Sequence, residues 1–237
     1  MKNTNVVLPI AGLGKRFSDG GYQTPKPLIP VDGKTIVEKS MDSLDYSDCN
    51  LIFIVRKEHV EEFNIENFLK KKFGQDIKVI VIDYLTEGAL STCLLAKEYI
   101  DNDEELIIFT PDCYFEPKFY ANKVEEKYDG MVVVFESESA AHSYVKVGDN
   151  GFVSKAAEKE VISNKAVGGL YFWRKGKDFV KFANEMISSN DRVNNEFYIC
   201  PVFNYLIGSG GKVGIEKNTK HVILGTPKDL RRHIKGN

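Results

Sequence analysis

The sequence predicts an α/β fold built on a Rossmann-like, mixed and mostly parallel sheet, and three observations predict it. Apolar runs of strand length recur at residues 6–10, 51–55, 77–82 and 106–109, with the near-continuous hydrophobicity of strands covered on both faces. Amphipathic helical stretches separate these runs, and alternation of strand and helix is the pattern of a parallel sheet flanked by helices. The third observation is size. A chain of 237 residues, 43% of them hydrophobic, can bury one substantial core, and no repeat, low-complexity tract or linker divides it, so residues 1–237 are expected to form one domain.

The elements follow in order. After the first strand, Gly12 and Gly14 let the backbone turn sharply and approach a ligand closely. Lys15 and Arg16 follow at once, and Lys26 sits between Pro25 and Pro27, which limit where its ammonium can go. Val31-Asp32-Gly33-Lys34 reads as a tight turn, and Ile36, Val37, Met41 and Leu44 supply the apolar face of a helix. A helix is expected over 58–73 with a break near Asn64, and another over 88–100. The second half changes character: a strand at 130–135, a hairpin of 144–147 with 152–155 around an Asn150-Gly151 turn, a strand at 167–173, and helices at 177–188 and 195–207.

Net charge is −2, which gives no broad basic surface for nucleic acid or anionic membrane; the cations at the front suit a small anion. No apolar run reaches the length of a membrane span, and Met1-Lys2-Asn3-Thr4-Asn5 lacks the apolar region of a signal peptide, so a cytoplasmic location is expected. Cys49, Cys93, Cys113 and Cys200 are scattered without C-x-x-C spacing and read as buried thiols.

Taken alone, G-x-G after a strand is a weak signal: the third glycine of the dinucleotide fingerprint is missing, as is the G-K-S/T of a P-loop. The combination Gly12-Leu13-Gly14-Lys15-Arg16-Phe17 followed by Pro25-Lys26-Pro27-Leu28-Ile29-Pro30-Val31 is more specific. It resembles the N-terminal signature of the sugar-phosphate nucleotidyltransferases, and the resemblance extends from Leu8 to about Leu230. It implies the family's GT-A-like fold, with a nucleotide-binding N-terminal half and an acceptor-binding C-terminal half. It also implies a divalent cofactor, Mg²⁺ or Mn²⁺. The β-helix or acetyltransferase extension of some members is not in evidence.

On that resemblance Leu8, Ala11, Gly12, Gly14 and Lys15 would line the nucleotide, with Arg16 and Lys26 on its phosphates. Asp112 follows a buried strand at the sheet edge where open α/β sheets bind ligands, and it would hold the metal; an aspartate capping the next loop is the plainer reading. Glu158 and Lys159 fall where the family binds its acceptor, the lysine on phosphate and the glutamate on hydroxyl groups, with Gly169 allowing close approach; without the resemblance they are a solvated charged face. Glu87 and Gly88 occupy the place where many members carry a base-reading glutamine, which is absent here, and a helix N-terminus explains them equally well. Where many members have a second metal-binding aspartate this chain has Ile223, so a second ligand would come from elsewhere; Glu196 is the candidate metal or acceptor ligand, though a glutamate in a first helical turn needs no functional explanation, and His221 reads as structural.

The variants T-E-G-A-L-S-T-C, S-Y-V-K-V and L-G-T-P-K-D-L are similar to a short subgroup associated with bacterial capsule biosynthesis. That implies transfer from CTP to phosphoglutamine or a sugar phosphate with release of pyrophosphate, and leaves a homo-oligomer open. A GT-A glycosyltransferase and a non-catalytic nucleotide-binding protein stay open beside it. Against the former, Asp112-Cys113-Tyr114 is not D-x-D.

Overall fold

The computed structural model describes residues 4–236; Met1, Lys2, Asn3 and Asn237, and with them part of the N-terminal segment read above, lie outside the described residues. Strand β1 (Thr4–Pro9) leads into the glycine loop and the short helix α1 (Lys15–Ser18), and a 3-10 turn over Lys26–Leu28 follows. The pair β2 (Pro30–Val31) and β3 (Lys34–Thr35) closes through Asp32 and Gly33, both at positive φ, as the sequence of that turn requires. Thr35 and Glu38 form a reciprocal capping box that starts α2 (Ile36–Met41). Next come β4 (Cys49–Arg56), α3 (Lys57–Phe63) and α4 (Ile65–Phe73), the helices divided at Asn64 in a left-handed conformation.

The chain continues through β5 (Lys78–Ile82), α5 (Ala89–Leu94), α6 (Lys97–Ile100), β6 (Glu105–Phe109) and β7 (Cys113–Glu116). Strands β8 (Gly130–Glu136), β9 (Ser143–Val147), β10 (Val153–Glu158) and β11 (Lys165–Trp173) precede α7 (Gly176–Ser188) and α8 (Val202–Gly208). Finally β12 (Val213–Lys217), β13 (Lys220–Ile223) and α9 (Pro227–Ile234) complete the described fold.

The main sheet has β6, β1, β4 and β5 side by side in parallel. Beyond β6, β11 runs antiparallel and carries both β8 and β9, with β12 parallel to β8 and β10 paired to β9. Among the described strands of this sheet only β10 and β11 oppose the common direction. Alternate residues divide between two apolar layers: Val7, Ile52, Ile54, Leu106 and Ile108 pack under α5, α7 and α8, while Val6, Leu8, Phe53, Ile107 and Phe109 pack on the face of α2 and α4.

Two helices differ from expectation. The 88–100 stretch is two short helices, α5 and α6. The helix expected over 195–207 begins only at Val202, because Asn194 and Asn195 sit at positive φ in a tight turn closed by a bridge between Val193 and Glu196.

Candidate functional site

The carboxyl ends of β1 and β6 open into a cleft of about 490 Å³, and loops from both halves of the chain line it. Its first wall is the glycine loop. Gly14 at φ +61° caps α1, a side chain on Gly12 would meet nothing within 4 Å, and buried Phe17 pins the helix into a small core with Ile29, Val31, Ile36 and Leu224. Lys15 and Arg16 are thereby left exposed on the cleft wall, without an ion pair among the described residues. Lys26 reaches the cleft floor from its proline-bounded 3-10 turn, and its Nζ lies 3.1 Å from Asp112 Oδ2.

Asp112 is held by backbone on both sides. Its N–H donates to Thr110 O at 2.8 Å, and its carbonyl accepts from Leu224 N–H at 2.7 Å. The turn that carries it rests on a bulge in β11, where the register shifts between Val167 and Tyr171. Gly169 at that bulge has φ +79°, and a Cβ there would stand 2.8 Å from Thr110 Oγ1, so this glycine admits the Asp112 turn itself. Gly225 approaches from the other side, with its notional Cβ 3.4 Å from Asp112 Oδ2.

The far end of the cleft is built by the second half. Glu158 ends β10, and its carboxylate accepts from Ser143 Oγ. Burial pushes its pKa up, against the stabilising pull of Ser143 and Lys159, and Glu196 raises it further. Lys159, expected on the acceptor phosphate, does not itself line the cleft: it adopts φ +55°, and its ammonium donates to Tyr198 OH, with the Tyr198 ring centroid 4.5 Å away. Glu196 lines the cleft as an exposed side chain on the Val193 turn, not on the helix expected there.

Several expected nucleotide contacts sit elsewhere. Leu8 and Ala11 are buried in the core layers and do not line the cleft. Glu87 is ion-paired to Arg192 at 3.0 Å and does not line the cleft; the Arg192 guanidinium in turn lies over Phe197 at 3.9 Å. Gly88, at φ +127°, is constrained by protein: a Cβ there would come within 2.4 Å of Phe197 O. The cleft lining also includes Ser143, Tyr171, Tyr198 and Gly225, which the sequence did not single out. Ser143 and Gly225 lie inside quoted motifs, but nothing in their spacing marks them.

His221 is structural. It stacks on Phe135 at 3.9 Å, accepts or donates at Nδ1 to Asn218 at 2.9 Å, and burial depresses its pKa to about 4. Ile223 pairs with Cys113 in the β7–β13 ladder. Among the described residues no three His, Cys, Asp or Glu side chains cluster as a metal-binding set, and no helix is long and apolar enough to cross a membrane.

Comparison with known proteins agrees with this geometry. The sequence profile described as nucleotidyl transferase matches residues 5–205. A 2-aminoethylphosphonate cytidylyltransferase of Lancefieldella rimae is 25% identical over 177 residues, 67% of this chain and 70% of that protein. The bifunctional protein GlmU of Methanocaldococcus jannaschii is 26% identical over 95% of this chain, which spans only 52% of that relative's length. In structure, a nucleoside-diphosphate-sugar pyrophosphorylase from Vibrio cholerae superposes with a TM-score of 0.84 at 24% identity, covering 97% of this chain and 99% of that one. The CTP:phosphocholine cytidylyltransferase LicC of Streptococcus pneumoniae superposes with a TM-score of 0.73 at 19% identity over 99% of both chains. These likenesses share the fold described above, and with the profile match across most of its length the chain belongs to the nucleotidyl transferase family.

Proposed function

We propose that this chain joins a nucleoside triphosphate, with CTP preferred, to a small phosphorylated acceptor such as phosphoglutamine or a sugar phosphate, and releases pyrophosphate. The observation that carries the reading is the Lys26–Asp112 pair at 3.1 Å, set in the cleft between a glycine loop that bears Lys15 and Arg16 and a second wall of Ser143, Glu158, Glu196 and Tyr198. Three cations, Lys15, Arg16 and Lys26, gathered on one side of a central carboxylate suit the phosphates of a triphosphate.

In this reading an acceptor phosphate oxygen attacks the α-phosphorus in line, and the bond from that phosphorus to the bridging oxygen of pyrophosphate breaks. A phosphate monoester is already anionic near neutral pH, so no activated thiol is needed; Cys93, Cys113 and Cys200 are buried with their pKa values pushed up. Arg16 presents a planar fork to the β- and γ-phosphates, Lys26 turns from Asp112 to the α-phosphate, and Lys159 leaves Tyr198, which lines the cleft, to receive the acceptor phosphate. Asp112 would hold Mg²⁺ or Mn²⁺: it offers a hard, partly exposed carboxylate, and such ions are commonly held by one or two carboxylates plus substrate phosphates. Glu196 is the other exposed carboxylate on the cleft. When bound, the ion supplies positive charge to the phosphates undergoing transfer.

The preference for CTP draws support from the cytidylyltransferase named among the relatives and from the missing glutamine. Cytosine presents an amine donor where uracil and thymine present a carbonyl. Glu87 is engaged by Arg192, so backbone carbonyls at the cleft rim are the acceptors for that amine. A nucleotide-activated product of this kind, made where triphosphates are available in the cytoplasm, would feed capsule or other surface-polysaccharide assembly. Comparing kcat/KM for CTP, UTP, dTTP and ATP with one accepted acceptor tests the base assignment. About tenfold or greater preference for CTP is expected, since an unpaired buried polar group costs on the order of 1–3 kcal/mol; preference for UTP or dTTP would overturn it.

A further inference from the structure

The margins of the main sheet are finished differently. At β10 a bulge between Val153 and Lys155 breaks the ladder, and the Asn204 side chain of α8 occupies the edge backbone: Ala156 N–H donates to Asn204 Oδ1 at 2.8 Å, and Asn204 Nδ2 donates to Ala156 O at 2.9 Å. Strand β12 carries the charged pair Glu216 and Lys217. Bulges, charges and covering side chains all keep a free edge from pairing with another strand. Strand β5 has none of these along its apolar length. Its register with β4 runs unbroken from Lys78 to Ile82, it contains no proline, and its one charge, Lys78, stands at the end. Among the described residues no strand pairs beyond it, and no backbone hydrogen bond from a turn or loop reaches residues 78–85.

The side chains at this margin agree. Six large apolar residues are exposed among the described ones, and three of them, Val81, Tyr84 and Leu85, fall within one five-residue stretch here. Lys78 and Asp83 flank the apolar core of the segment; both are exposed, and neither makes an ion pair among the described residues.

We infer that β5 is the seam of a twofold homodimer, in which the β5 strands of two copies pair antiparallel and join the two sheets into one. This is independent of the nucleotidyl-transfer reading. The occupant of the edge is a second copy because the segment complements itself. A twofold axis perpendicular to the sheet at Val81 sets Val81 opposite its own counterpart and Ile80 opposite the partner's Ile82. Ile80 and Ile82 belong to the same apolar layer, so that layer continues across the seam. Lys78 comes beside the partner's Asp83 and the partner's Tyr84, which gives each unpaired charge an opposite one. A parallel pairing would instead set lysine beside lysine and aspartate beside aspartate, and like charges side by side are disfavoured. The antiparallel arrangement also closes, because each copy spends its unprotected edge on the other and assembly stops at two. The carboxyl ends of the two sheets then point in opposite directions, so the two clefts open away from each other.

Sedimentation velocity of the full chain at concentrations up to about 100 μM tests this, with a dimer as the expected species. Val81→Lys places two ammonium groups at the axis and should raise the dimer Kd at least about tenfold, with the far-UV circular dichroism unchanged. Lys78→Glu and Asp83→Lys should each weaken the dimer by about tenfold, while the double reversal restores it to within about threefold. A chain that stays monomeric throughout overturns the inference, whether its edge is left bare or taken by another protein. So does a dimer that these substitutions leave intact, or a species that grows beyond two copies with concentration. A double reversal that fails to restore pairing overturns the antiparallel arrangement. Should Val81→Lys lose its folded spectrum, the charge reversals at exposed positions decide the matter on their own.

Discussion

At Glu87 the sequence and the structure divide most clearly. Beside Gly88, in the place of a base-reading glutamine, its carboxylate reads as a hydrogen-bond acceptor for cytosine. The fold instead brings Arg192 to within 3.0 Å of it across 105 residues of chain, with Phe197 beneath the guanidinium. No local pattern could announce a partner so distant. An exposed ion pair of this kind contributes at most about 1 kcal/mol. We therefore expect Glu87→Gln to leave the ratio of kcat/KM for CTP over UTP within about twofold of the parent and to lower stability by less than about 1 kcal/mol; a collapse of the ratio would show that Glu87 leaves Arg192 to read the base. Lys26 and Asp112 behave differently, because their positions are fixed by features the sequence does display. Two prolines bound the lysine, and a buried strand followed by Thr110-Pro111 delivers the aspartate.

At the level of elements, the parallel half was legible because β1, β4, β5 and β6 are apolar runs with helices between them. Asn64 and the Asp32-Gly33 turn were legible too, since short polar residues and glycine are the ones that accept positive φ. The second half was harder to read. Strand β7 has four residues directly after the Asp112 turn, and β12 and β13 alternate too briefly to show a period. The helix expected from Asn195 failed for a local reason: two asparagines in left-handed conformations build a loop whose function is to reach Gly88. Phe197 N–H donates to Glu87 O at 2.8 Å, and Leu90 N–H donates to Phe197 O at 3.1 Å, so this loop is bonded to the start of α5. Gly88→Ala would drive a methyl to 2.4 Å from Phe197 O at a φ of +127°. The expected cost is about 3 kcal/mol, read as a lower urea midpoint, together with reduced turnover because Tyr198 and Ala89 line the cleft on either side of the contact. An unchanged midpoint would mean that the loop is not held there.

Taken as a whole, the molecule folds a loop cluster from both ends of the chain over the carboxyl edge of its sheet, and its buried titrating groups give folding a pH dependence of known sign. His221 is lowered from 6.5 to about 4, so between those values the unfolded chain holds more protons and stability rises with pH; the contribution is complete above about 6.5 and is lost as pH falls toward 4. His142, also lowered by burial, acts in the same direction. Glu158, raised by burial, acts oppositely: the folded state keeps its proton longer, so its effect is to reduce stability as pH climbs past the ordinary carboxylate range. His221→Phe keeps an aromatic ring between its neighbours and removes the proton, and should flatten the rise in unfolding free energy between pH 4 and 6.5 by up to about 3 kcal/mol. An unaltered slope would assign the dependence to other groups. The central claim is that the cleft around Lys26 and Asp112 transfers a nucleotidyl group, and phosphorus NMR of the protein with CTP, Mg²⁺ and a phosphorylated acceptor tests it most directly. The account predicts pyrophosphate and a diphosphate-linked product in equal amounts, with turnover reduced by orders of magnitude in Lys26→Ala and Asp112→Asn; inorganic phosphate without that product, or undiminished rates in both variants, would contradict it.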